Sequence, residues 1–168
     1  WLDALNLLLE RLQSKTELSQ ISAICGSGQQ HATVYLNNKF PDRLSEMNVN
    51  QSFTENLTDC FSRDLSPIWM DNSTAAECQE IANAVGGNEK VLEISGSFAI
   101  ERFSGPQIRK FAATSPQAYE ETAAIHLASS FCCSVVAGQS APIDFGDGAG
   151  MNLMSLKTKN WDIDLINA

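Results

Sequence analysis

Leu2, Leu5, Leu8, Leu9 and Leu12 recur at three- and four-residue spacings, so the chain is predicted to open with a helix over 1–14. Asp3 falls in its first turn, where a carboxylate suits the helix dipole. The apolar run Ile21-Ser22-Ala23-Ile24-Cys25 predicts a strand, and Ala32 to Leu36 a second one after a glycine-rich turn. From Asn37 to Asn56 the pattern dissolves into polar residues interrupted by Pro41, a surface excursion with a short helix near Phe53–Leu57. Pro67-Ile68-Trp69-Met70 predicts a short strand ending at Asp71. Thr74 with Glu77 three residues later has the spacing of a capping box, opening a helix that runs to about Ala84 and is stopped by Gly86-Gly87. Glu89 to Ile94 suits a short helix or a strand. Helices are predicted from about Gln107 to Ala113 and from Ser115-Pro116 to about Thr122. Ile125 to Val136 mixes strand and helix. Pro142 to Gly150 reads as an acidic, glycine-rich loop, Met151 to Lys157 suits a strand, and Trp161 to Ile166 a last helical turn. This alternation of helices and strands implies one α/β domain.

At 168 residues with 43% hydrophobic content, the chain is long enough to bury a real core. Its formal charge is -9, and it contains no basic run. A nucleic-acid partner is not expected, because phosphates call for clustered Lys and Arg. The same argument goes against an anionic membrane surface; the acidity serves solubility. The apolar stretch Ala123 to Gly138 carries His126 among Ser and Cys and is too short to span a bilayer. No basic segment followed by an apolar one opens the chain, so no secretory signal is visible. Cys25, Cys60, Cys78, Cys132 and Cys133 form an odd count without CxxC spacing, read as reduced and mostly buried thiols of a cytoplasmic protein. The adjacent Cys132-Cys133 lacks a second pair at ligand spacing, so no metal site is expected. Asn56-Leu57-Thr58 and Asn72-Ser73-Thr74 match the glycosylation sequon and are read as chance matches in a chain without a signal. A start at Trp1 rather than Met points to a trimmed chain or an internal segment of a longer one.

Candidate chemistry begins at Gly26-Ser27-Gly28-Gln29-Gln30-His31. Glycines allow a sharp turn or a close approach. Gln offers two donors and an acceptor, and neutral His one of each, a set that suits a polyhydroxylated ligand better than a metal or a phosphate. Asp71 stands at a predicted strand end, the edge where α/β sheets bind ligands; capping the next helix is an equal reading. In Ile100-Glu101-Arg102-Phe103, Arg102 is free to donate to ligand hydroxyls or to close an internal ion pair with Glu101. The segment Ala141 to Asn152 lacks the ligand ladder of a calcium loop and the lysine of a phosphate loop, so it reads as a strained turn pinned by Asp and Asn. His126, in an apolar stretch, reads as a satisfied core histidine.

The ordered set Gly26–His31, Ser66–Thr74, Ile100–Lys110 and Ala141–Met154 closely resembles the eukaryotic-type xylulose kinases, members of the carbohydrate kinase family with an actin-like, ribonuclease-H-like fold. The resemblance runs along nearly the whole chain but covers only part of such a kinase, the middle of its N-terminal sugar-binding domain. It implies a single partial ribonuclease-H-like domain over residues 1–168, a mixed sheet with flanking helices. It implies that His31 and Arg102 contact ketose hydroxyls, with Gln30 and Asp71 beside or near those contacts. It places no catalytic residue here: no Gly-Asp-Asn motif carrying the base Asp occurs in these residues, nor do a phosphate-approaching hairpin or an ATP-binding second domain. ATP and Mg2+ are implied for the intact enzyme and neither for this segment alone. The implied partners are D-xylulose or a related ketose and the remaining domains of the parent kinase. The family usually has Gly where this chain has Ala32, Arg and Tyr in place of Phe98 and Ile100, and Ser in place of Ala149. These departures leave a kinase for another ketose or polyol open. A non-catalytic sugar-binding or interaction protein that kept the pocket also fits.

Overall fold

A computed structural model describes residues 1–168. Helix α1 (Leu2–Gln13) forms as the leucine spacing demands and buries Leu2. After one 3-10 turn at Leu18–Gln20 the chain runs without regular structure to strand β1 (Thr33–Leu36). Helices α2 (Phe40–Ser45) and α3 (Phe53–Leu57) follow; the Ser52 hydroxyl accepts from the Glu55 N–H at 3.2 Å while Glu55 reaches back to the Ser52 N–H. Helices α4 (Ala75–Val85) and α5 (Asn88–Ser95) are separated by Gly86 and Gly87 at φ 101° and 117°, a conformation that costs a side-chain-bearing residue dearly. Helices α6 (Ser104–Thr114) and α7 (Pro116–Glu120) lead to strand β2 (Ala124–Leu127), which passes directly into helix α8 (Ala128–Ala137). Helices α9 (Phe145–Gly150) and α10 (Ile163–Asn167) are N-capped by the carboxylates of Asp144 and Asp162.

The two strands pair antiparallel, with Thr33 opposite Leu127 and Leu36 opposite Ala124. All four β1 residues are buried, Thr33 included, so both faces of the strand are covered and no exposed face alternates with the buried one. The main core packs β1 with α1, α2, α3 and α8 through Leu2, Val34, Phe40, Leu57, Phe131 and Val135. Each such side chain contributes roughly 1.5–3 kcal/mol on burial. A second, smaller core joins α4, α5 and α10 through Ile81, Ala82, Val91 and Leu165.

Several expectations are corrected. Ile21–Cys25 is not a strand: no other segment of the chain pairs with it, and Ile24 stays 63% exposed. Pro67–Met70 is not a strand either; it ends in a turn closed by the Asp71 N–H on the Ile68 carbonyl at 2.9 Å. The Thr74–Glu77 capping box does not form, because the Thr74 hydroxyl donates instead to the distant Glu101 carbonyl at 2.5 Å. The second half of the acidic loop is helix α9, and Met151–Lys157 contributes only an isolated bridge, Met154 to Trp161. Of the five thiols only Cys60 is buried, Cys25 is exposed and the others are half-buried. Burial pushes the Cys60 and Cys78 thiols up to about 11, so both are protonated near neutral pH. No helix is long and apolar enough to cross a membrane.

Candidate functional site

The glycine-rich turn is pressed against the first turns of α8. A Cβ on Gly28 would sit 2.7 Å from the Ser129 nitrogen, and one on Gly26 would sit 2.5 Å from the Cys133 sulfur. These glycines therefore serve close packing of the turn on α8, not left-handed backbone. The left-handed residue is His31 itself, at φ 70°. A non-glycine residue held there costs on the order of 1–3 kcal/mol and persists where the surroundings enforce it. Here they do: β1 begins two residues later, and the Ala128 N–H donates to the Ala32 carbonyl at 3.1 Å.

The His31 side chain is only 7% exposed, and its ring lies against Phe103 with centroids 4.8 Å apart. Its Nδ1 is buried without a partner. Burial lowers the His31 pKa from its ordinary 6.5, and the Arg102 charge lowers it further; the Gly150 carbonyl and Asp147 act in the opposite direction without overcoming them. His31 is thus neutral near pH 7, with one ring nitrogen to donate and one to accept.

Arg102 approaches the same ring from another segment. Its guanidinium lies 5.5 Å from the Phe103 centroid, and its side chain is exposed. Of the two readings, the internal ion pair with Glu101 does not form, leaving the guanidinium without a carboxylate. The backbone beside it is tightly held, because the Glu101 carbonyl accepts from Thr74 Oγ1 at 2.5 Å and from Gln107 Nε2 at 3.0 Å.

Gln30 is exposed, and its amide lies so close to Gly150 that any side chain there would collide with it. Gly150 ends α9, which the Asp144 carboxylate caps by accepting from the Gly146 N–H at 2.7 Å and the Asp147 N–H at 3.1 Å. Asp147 in turn accepts a hydrogen bond from Ser129 on α8. The pinning by Asn is also observed: Asn152, at φ 64°, donates to Ser95 Oγ at 2.6 Å. The acidic segment is therefore the element that brings a carboxylate and a carbonyl to the Gln30–His31 turn.

Asp71 is half-buried and accepts from the Ser73 N–H at 2.8 Å and the Ser73 hydroxyl at 2.5 Å. Lys110 Nζ donates to the same hydroxyl at 2.7 Å. Partial burial pushes the Asp71 pKa up, but the donors Ser73 and Gln107 and the Lys110 charge outweigh it and hold the carboxyl below its usual range. Asp71 thus closes a local turn ahead of α4 but does not cap it: the N-cap is Thr74, and no side chain caps that helix. Asp71 also shares with Arg102 a cleft of about 530 Å³ lined by Trp69, Met70, Asn72 and Glu101. The structure brings His31 to Arg102 through Phe103, Arg102 to Asp71 through this cleft, and Gln30 to the end of α9. His31 and Gln30 do not line the cleft. His126 is a core histidine by burial but only half satisfied: Nε2 lies 3.4 Å from Ser140 Oγ, while Nδ1 has no partner.

Sequence reasoning missed Phe103, Asp147 and Ser129 as members of this arrangement. Phe103 had a signal, since it is the aromatic residue directly following Arg102. The Ser129–Asp147 contact joins two helices distant in sequence and had none. Nowhere do three His, Cys, Asp or Glu side chains converge to hold a metal ion.

An α/β domain with this polar site has close structural counterparts among carbohydrate kinases. The xylulose kinase from Rhodospirillum rubrum superposes with a TM-score of 0.77 at 16% identity, over 99% of this chain and 31% of that one. The gluconate kinase from Lactobacillus acidophilus gives 0.75 at 18% identity, over 99% and 29%. These likenesses define the fold as the actin-like, ribonuclease-H-like one of that class. Residues 1–168 match the N-terminal domain of the FGGY family of carbohydrate kinases, and the chain belongs to that family. It is 43% identical over 162 residues to xylulose kinase 2 of Arabidopsis thaliana, covering 96% of this chain and 29% of that protein. It is 40% identical over 169 residues to the xylulose kinase of Rattus norvegicus, covering 100% and 32%. The chain thus spans about a third of the length of the curated relatives it matches.

Proposed function

We propose that the chain is the sugar-holding part of a cytoplasmic ATP-dependent xylulose kinase. That enzyme moves the γ-phosphoryl group of ATP to the C5 hydroxyl of D-xylulose, giving D-xylulose 5-phosphate and ADP. The observation that carries the reading is the meeting of His31 and Arg102 on one aromatic ring, in a chain whose relatives along its whole length are xylulose kinases. A neutral imidazole donates and accepts, and a guanidinium donates in a fixed fork. A polyhydroxylated ketose offers the matching acceptors and donors. Gln30 and Asp71 stand at the margins of this contact.

Phosphoryl transfer depends chiefly on positioning and on electrostatic stabilisation. The part assigned to this chain is to hold the ketose so that one hydroxyl is presented in a single orientation. The base that takes the hydroxyl proton lies in the remaining domains of the parent. Phe98, 45% exposed on the segment leading to Arg102, favours a second reading in which the same enzyme acts on another ketose or polyol. ADP release by the parent protein with ATP, magnesium and a panel of sugars tests both. Strongest turnover with D-xylulose is expected. Strongest turnover with another sugar shifts the substrate, and no turnover from a folded protein overturns the kinase reading in favour of a sugar-binding protein.

A further inference from the structure

The ring that joins His31 to Arg102 belongs to neither of them. Phe103 is buried, and it stands at the N-terminal end of α6 with its backbone held on both sides. Its N–H donates to the Ile100 carbonyl at 2.9 Å, and its carbonyl accepts from the Gln107 N–H at 3.2 Å. Two residues earlier, the Glu101 carbonyl is fixed by Thr74 and Gln107. The Phe103 ring is therefore a fixed surface. His31 arrives from a different segment, with a left-handed backbone and a buried Nδ1 that no protein group reaches. Arg102 arrives with no ion-pair partner. An exposed arginine loses rotamer freedom when it engages a ligand, and a prepositioning surface reduces that loss. Stacking of a guanidinium over a ring supplies such a surface.

We propose that Phe103 is the positioning residue of the sugar site. Its ring sets both the plane of the His31 imidazole and the place of the Arg102 guanidinium, and so couples two contacts that lie far apart in sequence. The inference rests on the reading of His31 and Arg102 as sugar contacts. It goes beyond that reading by giving a role to a residue that need touch no sugar hydroxyl.

The test uses the full-length parent kinase carrying Phe103→Leu, Phe103→Tyr, His31→Ala, Arg102→Ala and the double change Phe103→Leu/His31→Ala, with KM measured separately for D-xylulose and for ATP. Phe103→Leu is expected to raise the sugar KM about tenfold and leave the ATP KM unchanged, since misplacing a positioning group costs this order of effect. Phe103→Tyr keeps the ring and is expected to stay within about twofold of the parent. In the His31→Ala background, Phe103→Leu is expected to add much less than it does alone, because coupled neighbours are not additive. An unchanged sugar KM in Phe103→Leu, with His31→Ala impaired, overturns the positioning role and leaves the sugar site standing. Unchanged sugar KM in both His31→Ala and Arg102→Ala overturns the site itself. Equal rises in both KM values for Phe103→Leu show a merely structural role and overturn the proposal. Should Phe103→Leu fail to fold, the histidine ring-proton spectrum of the unaltered parent decides. His31 protons, assigned by their loss in His31→Ala, are expected to be displaced by the ring current of Phe103; unshifted resonances overturn the proposal.

Discussion

His31 and Arg102 meet on one ring under opposite conditions. His31 is buried, neutral, strained in its backbone and fixed by a turn that packs on α8 without room for a single added carbon. Arg102 is exposed, charged and unpaired, resting on a loop whose backbone is locked while its side chain is not. One site thus divides its labour between two kinds of partner. The buried partner supplies geometry, since removing it leaves a desolvated position unfilled. The exposed partner supplies a directional charge at a small desolvation cost, and it is replaceable in part by water.

Removing each partner in turn from the parent enzyme separates the two roles. His31→Ala is expected to lower kcat/KM for the sugar on the order of 10- to 100-fold, the cost of losing a buried hydrogen-bonding group. Arg102→Ala is expected to cost about tenfold, because solvent reaches its place. Equal losses in steady-state kinetics, or a larger one at Arg102, would reverse the assignment of roles.

A smaller effect follows from the packing that fixes His31. Gly28→Ala forces a carbon against the Ser129 backbone nitrogen, so a loss of roughly 1–3 kcal/mol in unfolding free energy is expected, read by urea titration. At Gly86 nothing lies within 4 Å, and only the φ of 101° opposes a side chain; Gly86→Ala is expected to cost about 1 kcal/mol. A Gly28→Ala protein as stable as the parent would dissolve the claim that the turn is pressed into place.

The pH dependence separates the partners further. Burial lowers the pKa of His31 and of His126, the two histidines of the chain. The unfolded chain therefore binds protons that the folded one refuses. The stability this contributes is fully present above about 6.5 and is lost as pH falls through that value toward the folded pKa values. Sugar affinity is expected to fall at lower pH than stability does, once the pH reaches the lowered folded pKa of His31, because a protonated His31 no longer accepts a hydrogen bond. A sugar affinity that stays flat while the His31 ring resonances report its protonation would remove His31 from the contact. The mildest change is Asp71→Asn, expected to alter the sugar KM by less than about threefold. Its carboxylate is spent on Ser73 and on the turn ahead of α4, and exposed pairs of this kind contribute little.

Locally determined features were legible in the sequence. The leucine period of α1, the stop at Gly86-Gly87 and the buried run of β1 each rest on residues within one turn or strand. Ile21–Cys25 carries the same apolar pattern as β1 yet forms no strand, because a strand exists only with a partner, and partners are not written locally. Thr74 had the right neighbour for a capping box and was drawn instead to a carbonyl 27 residues away. Helix α9 hides behind three glycines with poor helix propensity, overcome by the Asp144 cap and by contact with Ser129. In the site, the Gln-Gln-His and Glu-Arg-Phe motifs pointed to the polar groups. That one phenylalanine lies between them, and that the acidic segment faces them, emerged only from the fold.

The most direct test is equilibrium binding of D-xylulose, without ATP, to the parent kinase and to its His31→Ala form by titration calorimetry. The altered protein is expected to bind the sugar on the order of 10- to 100-fold more weakly while melting near the same temperature. Equal affinity in the two proteins would contradict it.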